Sequence, residues 1–230
     1  MSTPNPKESV QHARQTLDLR DPFWPAQLTV AFAIALQVSL PDKLALGPNW
    51  LLPSAEGLLL IGLIVATPHP DIKHSPIRRQ IAVTLIGLVS LVNLISLFLL
   101  AHYLTVGSHH SAVGGRALID AGIALWVTNV LLFGLWYWEL DRGGPVTRAL
   151  EPDTPPDFLF VQMQEPHHAP PDWMPGFLDY MYTSFTNATA FSPTDTMPLT
   201  YMAKILMAVQ SLAALVTIGL VVSRAVNILQ

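Results

Sequence analysis

The stretch Tyr182–Asp195 reads YTSFTNATAFSPTD, and an apolar run from Leu199 to Leu229 follows it almost at once. The first part is compatible with a short helix that ends in the turn sequence SPTD. The second part exceeds the roughly 17–25 apolar residues that a helix needs to cross a bilayer. The short helix either enters a membrane and turns back or crosses it completely, and this choice sets the topology of the whole chain.

The composition indicates that the rest of the chain also lies in a membrane. Of its 230 residues, 51% are hydrophobic and only 12% are charged, whereas about a quarter of the residues of a soluble domain are charged. The net charge of −4 gives no nucleic-acid footprint, and the absence of cysteine excludes disulfides and thiolate chemistry. The composition therefore predicts an all-α, multi-pass integral membrane helix bundle whose main partner is the lipid bilayer.

Apolar segments that precede the final run predict four further spans, which are Trp24–Leu40, Leu51–Thr67, Ile81–Val106 and Leu118–Trp138. Tryptophans stand at several of the segment ends, as interfacial aromatics do. The chain then divides into a polar leader (residues 1–23), four transmembrane helices (24–138), a connecting loop (139–175) and a C-terminal region with the short helix and the last span (176–230).

The connecting loop, residues 139–175, is rich in proline and in acidic residues. Each proline removes a backbone donor and blocks the helical path, so this segment cannot be a membrane helix. We therefore expect an aqueous loop there.

The segment from Tyr182 to Arg224 resembles the pore helix, filter and inner helix of the potassium-channel superfamily. The family pattern runs Tyr-Phe-Ser, then Thr-Thr-Val-Gly-Tyr-Gly-Asp, a proline, a basic residue, an acid inside the inner helix and an arginine near its end. Tyr182 and Ser184 match the start of the pore helix, and Thr189 matches the first filter threonine. The rest of the pattern aligns without insertion. The Thr-Val-Gly-Tyr-Gly positions of the filter are occupied by Ala190, Phe191, Ser192, Pro193 and Thr194. The acid, the proline, the basic residue and the terminal arginine are kept as Asp195, Pro198, Lys204 and Arg224, while Gln210 replaces the acid of the inner helix.

The filter of this chain departs from the family in its backbone chemistry. A potassium filter points backbone carbonyls at the ion, and its glycines allow the angles that this requires. Ser192 and Thr194 cannot adopt such angles cheaply, and Pro193 fixes φ and lacks a donor. We therefore predict that the segment does not form a potassium-selective filter.

The turn itself has two interpretations. Ser192-Pro193 favours a turn, and Asp195, Thr196 or Thr200 could cap the following helix, so the segment is compatible with a plain helical corner. The functional alternative is a hydrated or weakly selective pore mouth that passes a monovalent ion, lined by Thr186, Asn187, Thr189, Ser192, Thr194 and Asp195.

The distribution of basic residues along the chain favours a topology different from the one that the resemblance implies. They concentrate before the first span, between the second and third, and after the fourth, so the positive-inside rule places the 141–175 loop in the cytoplasm. A re-entrant pore helix enters from outside, which would make that loop external. The prediction is five spans plus a re-entrant helix, and the alternative is six spans with Trp173–Phe191 crossing fully.

The remaining motifs indicate where the protein lies but do not indicate a catalytic activity. WYWELDRGGP, Trp136–Pro145, reads as a helix end at the interface and resembles a signature of uncharacterised bacterial multi-pass membrane proteins, which implies the bacterial inner membrane. No phosphate loop, nucleophile elbow or metalloprotease motif is present, and paired histidines in loops rarely form a zinc site. We therefore expect no enzyme, cofactor or metal.

These observations predict an ion-channel-like membrane protein with a diverged filter. The resemblance implies a homo-oligomer, namely a tetramer around a shared axis. The alternative is a non-conducting membrane protein that keeps the pore-domain shape for packing or partner binding.

Overall fold

The computed structural model describes residues 21–41, 44, 51–66, 76–106, 115–151, 153–170, 173–191 and 195–229. Most of this backbone is helical, as expected for an all-α chain. Its helices are α1 (Trp24–Val38), α2 (Leu51–Ala66), α3 (Pro76–Val106), α4 (Gly115–Leu140), α5 (Pro145–Leu150), α6 (Val161–Gln164), α7 (Phe177–Ala190) and α8 (Tyr201–Leu229). Two short strands, β1 (Phe158–Leu159) and β2 (Met197–Pro198), pair antiparallel.

Three of the helices in the described residues are long and apolar enough to cross a membrane, over Ile77–Leu104, Arg116–Gly143 and Tyr201–Val226. They correspond to the third, fourth and fifth predicted spans. The first two predicted spans correspond to α1 and α2, which are apolar but only 15 and 16 residues long. A multi-pass membrane bundle is therefore plausible, and helix length alone supports three of its crossings.

The helices run between two ends of the bundle. Trp138 Nε1 near the end of α4 donates to Asp21 Oδ2 at 2.9 Å, and Asp21 lies three residues before the start of α1. Arg78 Nη2 at the start of α3 lies 3.3 Å from Glu139 Oε1, also in α4. The start of α1, the start of α3 and the end of α4 therefore meet at one end, which we name the capped end. The opposite ends of these helices form the open end.

The central helix is α4, which packs against α1, α3, α7 and α8. Two of its glycines allow close approach. A Cβ added at Gly134 would lie 3.3 Å from Met181 Cα in α7, and one added at Gly122 would lie 2.3 Å from Val221 Cγ2 in α8. Larger side chains at these positions would push α7 and α8 away, so the glycines set the distance of both helices from α4.

The segment between α4 and α7 is a folded cap that is partly buried against the bundle. Phe158 and Phe160 join the main apolar core, and the side chains of Asp141 and Arg148 are also buried. Asp141 and Arg148 are buried because they bond to other groups of the chain, whereas Glu151, Asp153 and Glu165 of the same segment are exposed. We name residues 141–176 the cap segment.

Candidate pore-like site

The α7 helix begins at the capped end. Its first backbone N–H, that of Phe177, donates to Asp21 Oδ1 at 2.9 Å, and the Tyr180 hydroxyl donates to Asp141 Oδ2 at 2.5 Å. The Asp179 carboxylate accepts the Gly176 N–H at 2.8 Å and so caps the first turn. The helix therefore starts five residues before Tyr182, which the resemblance had placed near its beginning.

The chain returns to the capped end after α7. The helix has 14 residues, which corresponds to about 21 Å of rise, and Phe191 ends it in the left-handed region with φ 54°. Thr196 Oγ1 then lies 3.1 Å from Thr183 Oγ1, and Met197 pairs with Leu159 of the cap segment. The segment thus descends into the bundle and comes back to the end from which it started.

The last helix also begins at the capped end. Thr200 accepts the Ala203 N–H at 3.3 Å and donates to Asp157 Oδ1 of the cap segment at 2.7 Å. Thr200 is therefore the capping residue among the three candidates from the sequence. Since α7 and α8 both start at this end, they run side by side in the same direction.

A buried polar network joins α7 to α8 and α4. The side chain of Gln210, which is 0% exposed, lies at its centre. Gln210 Nε2 donates to Ser184 O at 2.9 Å and to Ser184 Oγ at 2.6 Å, and Gln210 Oε1 accepts from the Tyr137 hydroxyl and, at 2.8 Å, from Asn187 Nδ2. The network fixes the depth of α7 relative to α8.

The outer members of this network reach backbone groups of the neighbouring helices. Ser184 Oγ donates to Val130 O of α4 at 2.6 Å, and Asn187 Nδ2 donates to Met207 O of α8 at 3.0 Å. Ser211 Oγ donates to Asn187 Oδ1 at 3.1 Å. The side chain of Asn187, which the sequence predicts to line a pore mouth, is therefore buried and hydrogen-bonded inside the chain.

The other predicted pore-lining residues lie nearer the surface. The hydroxyls of Thr186 and Thr189 donate to carbonyls of their own helix, those of Tyr182 and Phe185, at 3.0 Å each. Ala190, Phe191 and Asp195 are exposed, while Ser192, Pro193 and Thr194 lie outside the described residues. The structure therefore places an exposed threonine-bearing face of α7 beside the turn.

Asp195 meets α7 at Tyr182. The carboxylate raises the pKa of that phenol through its negative charge and by accepting its hydrogen bond. Tyr182 and Asp195 are both exposed, so the pair marks the outer surface of the returning segment.

The inner-helix residues of the resemblance are spread along α8. Lys204 is exposed, with Nζ 5.8 Å from the Tyr201 ring centroid. Arg224 lies about 30 Å further along the helix at 1.5 Å per residue. Of the three, the structure brings only Gln210 into contact with α7.

The cap segment contains residues that sequence reasoning did not single out. Arg148, 1% exposed, donates to Trp138 O at 2.7 Å and to Asp141 O at 3.1 Å, and its Nη2 lies 3.2 Å from Asp21 Oδ2. Its guanidinium also stacks over Tyr180, 4.9 Å from the ring centroid. Two of its partners, Trp138 and Asp141, belong to the WYWELDRGGP motif.

Burial raises the pKa of Asp21 despite the nearby Arg148 guanidinium. The cost of burial is offset by the bonds that this carboxylate accepts from Trp138 and Phe177 as well as from Arg148. Asp21 therefore ties α1, α4, α5 and α7 together at one point.

The tight turn of the motif explains its glycines. Arg142, Gly143 and Gly144 all have positive φ, of 52°, 78° and 101°. A Cβ at Gly144 would lie 3.0 Å from Glu139 O. This turn directs Asp141 Oδ1 at the Asp157 N–H, 2.7 Å away, and so folds the cap segment over the bundle.

The described part of the site is held together by buried polar contacts between helices. Among the described residues, no three His, Cys, Asp or Glu side chains are grouped so that they could hold a metal ion. The arrangement holds a short helix at a fixed depth beside two long helices. Comparison with protein-family models, with curated proteins and with solved structures gives no match for this chain.

Proposed function

We propose that this chain is a subunit of an ion-channel-like membrane oligomer, in which α7 is a re-entrant helix and α8 is the inner helix. The observation that carries the proposal is the return of the chain to the capped end after α7, within reach of β1. A membrane-inserted bundle with this path would have a short helix that dips into the bilayer and leaves on the side from which it entered.

The crossings of the bilayer fit five spans. The long helices α3, α4 and α8 supply three of them. The hairpin of α1 and α2 supplies two more, because Leu40 and Leu44, which follow α1, pack with Leu97 and Leu100 in the open half of α3. Leu40 and Leu44 thus extend the apolar contact of α1 with α3 beyond the last turn of the helix.

The proposed oligomer uses the outer faces of α7 and α8. The α8 span is the least buried of the three long spans. Large apolar side chains on the two helices are exposed and include Leu178, Phe185, Ile205, Leu212 and Val216. Packing of copies through these faces around one axis, as a tetramer by resemblance, would gather the turns after α7 into a shared mouth.

The mouth in this proposal is hydrated and weakly selective among monovalent ions. The exposed side chains of Thr189, near the end of α7, and of Asp195, after the turn, lie at the edge of this mouth. The sequence between them has no glycine, so a ring of filter carbonyls of the potassium-channel kind is not expected.

A non-conducting role is the second candidate, and the Gln210 network favours it. The polar groups of Asn187 and Gln210 are used in hydrogen bonds within one chain. A protein that needs only the shape of a pore domain, for packing or for binding a partner, would show the same network.

Oligomeric state and ion flux separate the two candidates. Native mass spectrometry of the detergent-purified protein should show a tetramer, and proteoliposomes should pass Na⁺ and K⁺ at similar rates. A strict monomer would eliminate the shared pore, and strong K⁺ selectivity would contradict the diverged filter. A tetramer without flux would support the non-conducting role.

Cysteine labelling tests the re-entrant path in this cysteine-free chain. Thr154→Cys in the cap segment and Asp195→Cys after α7 should react with a membrane-impermeant maleimide from the same side. Labelling of the two positions from opposite sides would show that residues 173–191 cross the membrane fully, which is the six-span alternative.

A further inference from the structure

A layer of buried polar side chains crosses the bundle between α1, α2 and α3. Gln37, Glu56 and Asn93 are 7%, 0% and 4% exposed, and Ser96, one turn after Asn93, is also buried. Glu56 lies inside the second predicted span, and sequence reasoning did not single it out. Acids inside membrane helices are rare and are associated with ion or proton sites.

The fold brings these residues to one level. Val30 of α1, Leu63 of α2 and Leu85 of α3 line one cavity and therefore lie at one level. Gln37 and Asn93 each follow a member of this set by about two turns, and Glu56 precedes Leu63 by two turns in α2, which runs in the opposite direction to its neighbours. Gln37 Nε2 also donates to Val89 O at 3.0 Å, which joins α1 directly to α3 one turn from Asn93.

The oxygen atoms of this layer lack partners in the part of the chain that the structure describes. Gln37 Oε1, both carboxylate oxygens of Glu56, Asn93 Oδ1 and Ser96 Oγ are buried and accept no hydrogen bond. The Gln37 amide is oriented by its bond to Val89 O, so its free atom is the acceptor oxygen. Buried oxygens normally have a partner, and a buried carboxylate without one carries a large free-energy cost.

The surroundings of the layer are apolar on both sides. Towards the capped end lie Val30, Leu63 and Leu85 of the main core, and towards the open end Leu44 and Leu100 pack together. Asn93 lies about 22 Å along α3 from Arg78 at 1.5 Å per residue, so the layer is far from the charged groups of the capped end.

We propose that Gln37, Glu56, Asn93 and Ser96 bind one monovalent metal cation, such as Na⁺, within the bundle. Hard cations take carboxylate, amide carbonyl and hydroxyl oxygens as ligands, and helix-bundle transporters hold Na⁺ near the bilayer midplane with oxygen ligands, although those are backbone carbonyls. One positive charge neutralises the single carboxylate. A divalent ion would leave a net charge in an apolar interior, and a water molecule would leave the carboxylate uncompensated.

Thermal unfolding of the full-length protein in detergent at pH 8 tests the proposal. The melting temperature should rise saturably with NaCl when N-methyl-D-glucamine chloride keeps the ionic strength constant, because a ligand that binds only the folded state stabilises it. Glu56→Gln, which removes the charge and keeps the shape, should abolish this dependence and should melt higher than the wild type without Na⁺. Glu165→Gln, the same change at an exposed acid, should keep the wild-type dependence.

Two further measurements keep the test independent of one variant. Equilibrium dialysis with radioactive Na⁺ should give one bound ion per chain, and Ser96→Ala should raise the half-saturating Na⁺ concentration several-fold. A melting temperature that does not change with Na⁺ concentration would overturn the proposal in favour of a proton or a water molecule. A Glu56→Gln variant with the same Na⁺ dependence as the wild type would overturn it too, because Na⁺ would then bind at another site. The layer lies away from α7, so these outcomes do not depend on whether α7 and α8 line a pore.

Discussion

Gln210→Leu is the sharpest test of the contact between α7 and α8. Leucine has a similar volume but neither a donor nor an acceptor, so the substitution removes four hydrogen bonds, to Ser184 O, Ser184 Oγ, Asn187 Nδ2 and the Tyr137 hydroxyl. Asn187 keeps its bond to Met207 O, and Ser184 keeps its bond to Val130 O. The Tyr137 hydroxyl, in contrast, loses the acceptor to which it donates.

The expected loss of stability follows from these counts. Side-chain hydrogen bonds inside membrane proteins contribute about 0.6 kcal/mol each on average, so four of them amount to about 2.4 kcal/mol. A buried donor left without a partner costs a further ~1–3 kcal/mol. The free energy of unfolding should therefore fall by roughly 3–5 kcal/mol.

Reversible unfolding in mixed micelles, followed by tryptophan fluorescence, measures this loss. The matched control is Gln164→Leu, the same substitution at an exposed position of α6, which should change the free energy of unfolding by no more than about 0.5 kcal/mol. Combining Gln210→Leu with Asn187→Leu should give a coupling energy of about 1 kcal/mol or more, because the two amides are bonded. A Gln210→Leu effect equal to that of Gln164→Leu, or strict additivity, would refute the proposed network.

Three further predictions concern the cap segment and the start of α7. Gly144→Ala should destabilise the protein by about 1–3 kcal/mol, because φ is positive at this position and the added Cβ would contact Glu139 O. The control, Gly219→Ala, should be neutral or stabilising, because an added Cβ there meets nothing within 4 Å. Equal effects of the two substitutions in chemical unfolding would contradict this prediction. Arg148→Lys should cost about 3 kcal/mol or more in the same assay, since an ammonium cannot reach all three acceptors of the guanidinium, and a loss below 1 kcal/mol would argue against that role. Burial raises the pKa of Asp179 above its ordinary value of 3.8. The Asp179 carboxyl therefore contributes most to stability below pH 3.8, and this contribution is lost as the pH rises through the pKa of the folded state. Asp179→Asn should remove this loss of stability with rising pH, and an identical pH dependence of the melting temperature in the two proteins across about pH 4–7 would contradict the prediction.

The helices themselves were largely predictable from the sequence. An apolar run long enough for a bilayer predicts a helix because the backbone must satisfy its own hydrogen bonds there, and α1, predicted to span Trp24–Leu40, is observed over Trp24–Val38. The errors at the ends of α3 and α4 arise because both helices continue into polar residues such as Arg78 and Glu139, which the other helices bury.

The cap segment and the polar layer were not predictable from local sequence. Asp21 and Arg148 are 127 residues apart, and Arg78 and Glu139 are 61 apart. From composition alone these residues are predicted to be solvated charges, because no neighbouring part of the sequence identifies their partners. The same holds for Glu56, because only the packing of α1, α2 and α3 shows that its carboxylate is enclosed.

The pairing of the arginines also bears on the orientation of the chain in the membrane. The positive-inside rule places the capped end in the cytoplasm, partly on account of Arg78 and Arg148. Both are buried in ion pairs with acids of other segments, so packing already explains their positions and they are weaker evidence for orientation than free basic residues would be.

The pore-like path of α7 therefore decides our expectation, which is that the capped end faces outward. In intact cells, a membrane-impermeant maleimide should label Thr154→Cys before permeabilisation, while Ser108→Cys, between α3 and α4, should be labelled only afterwards. The reverse labelling pattern would place the capped end in the cytoplasm, in agreement with the positive-inside rule. In that case α7 would enter the bilayer from the side opposite to that of a potassium-channel pore helix.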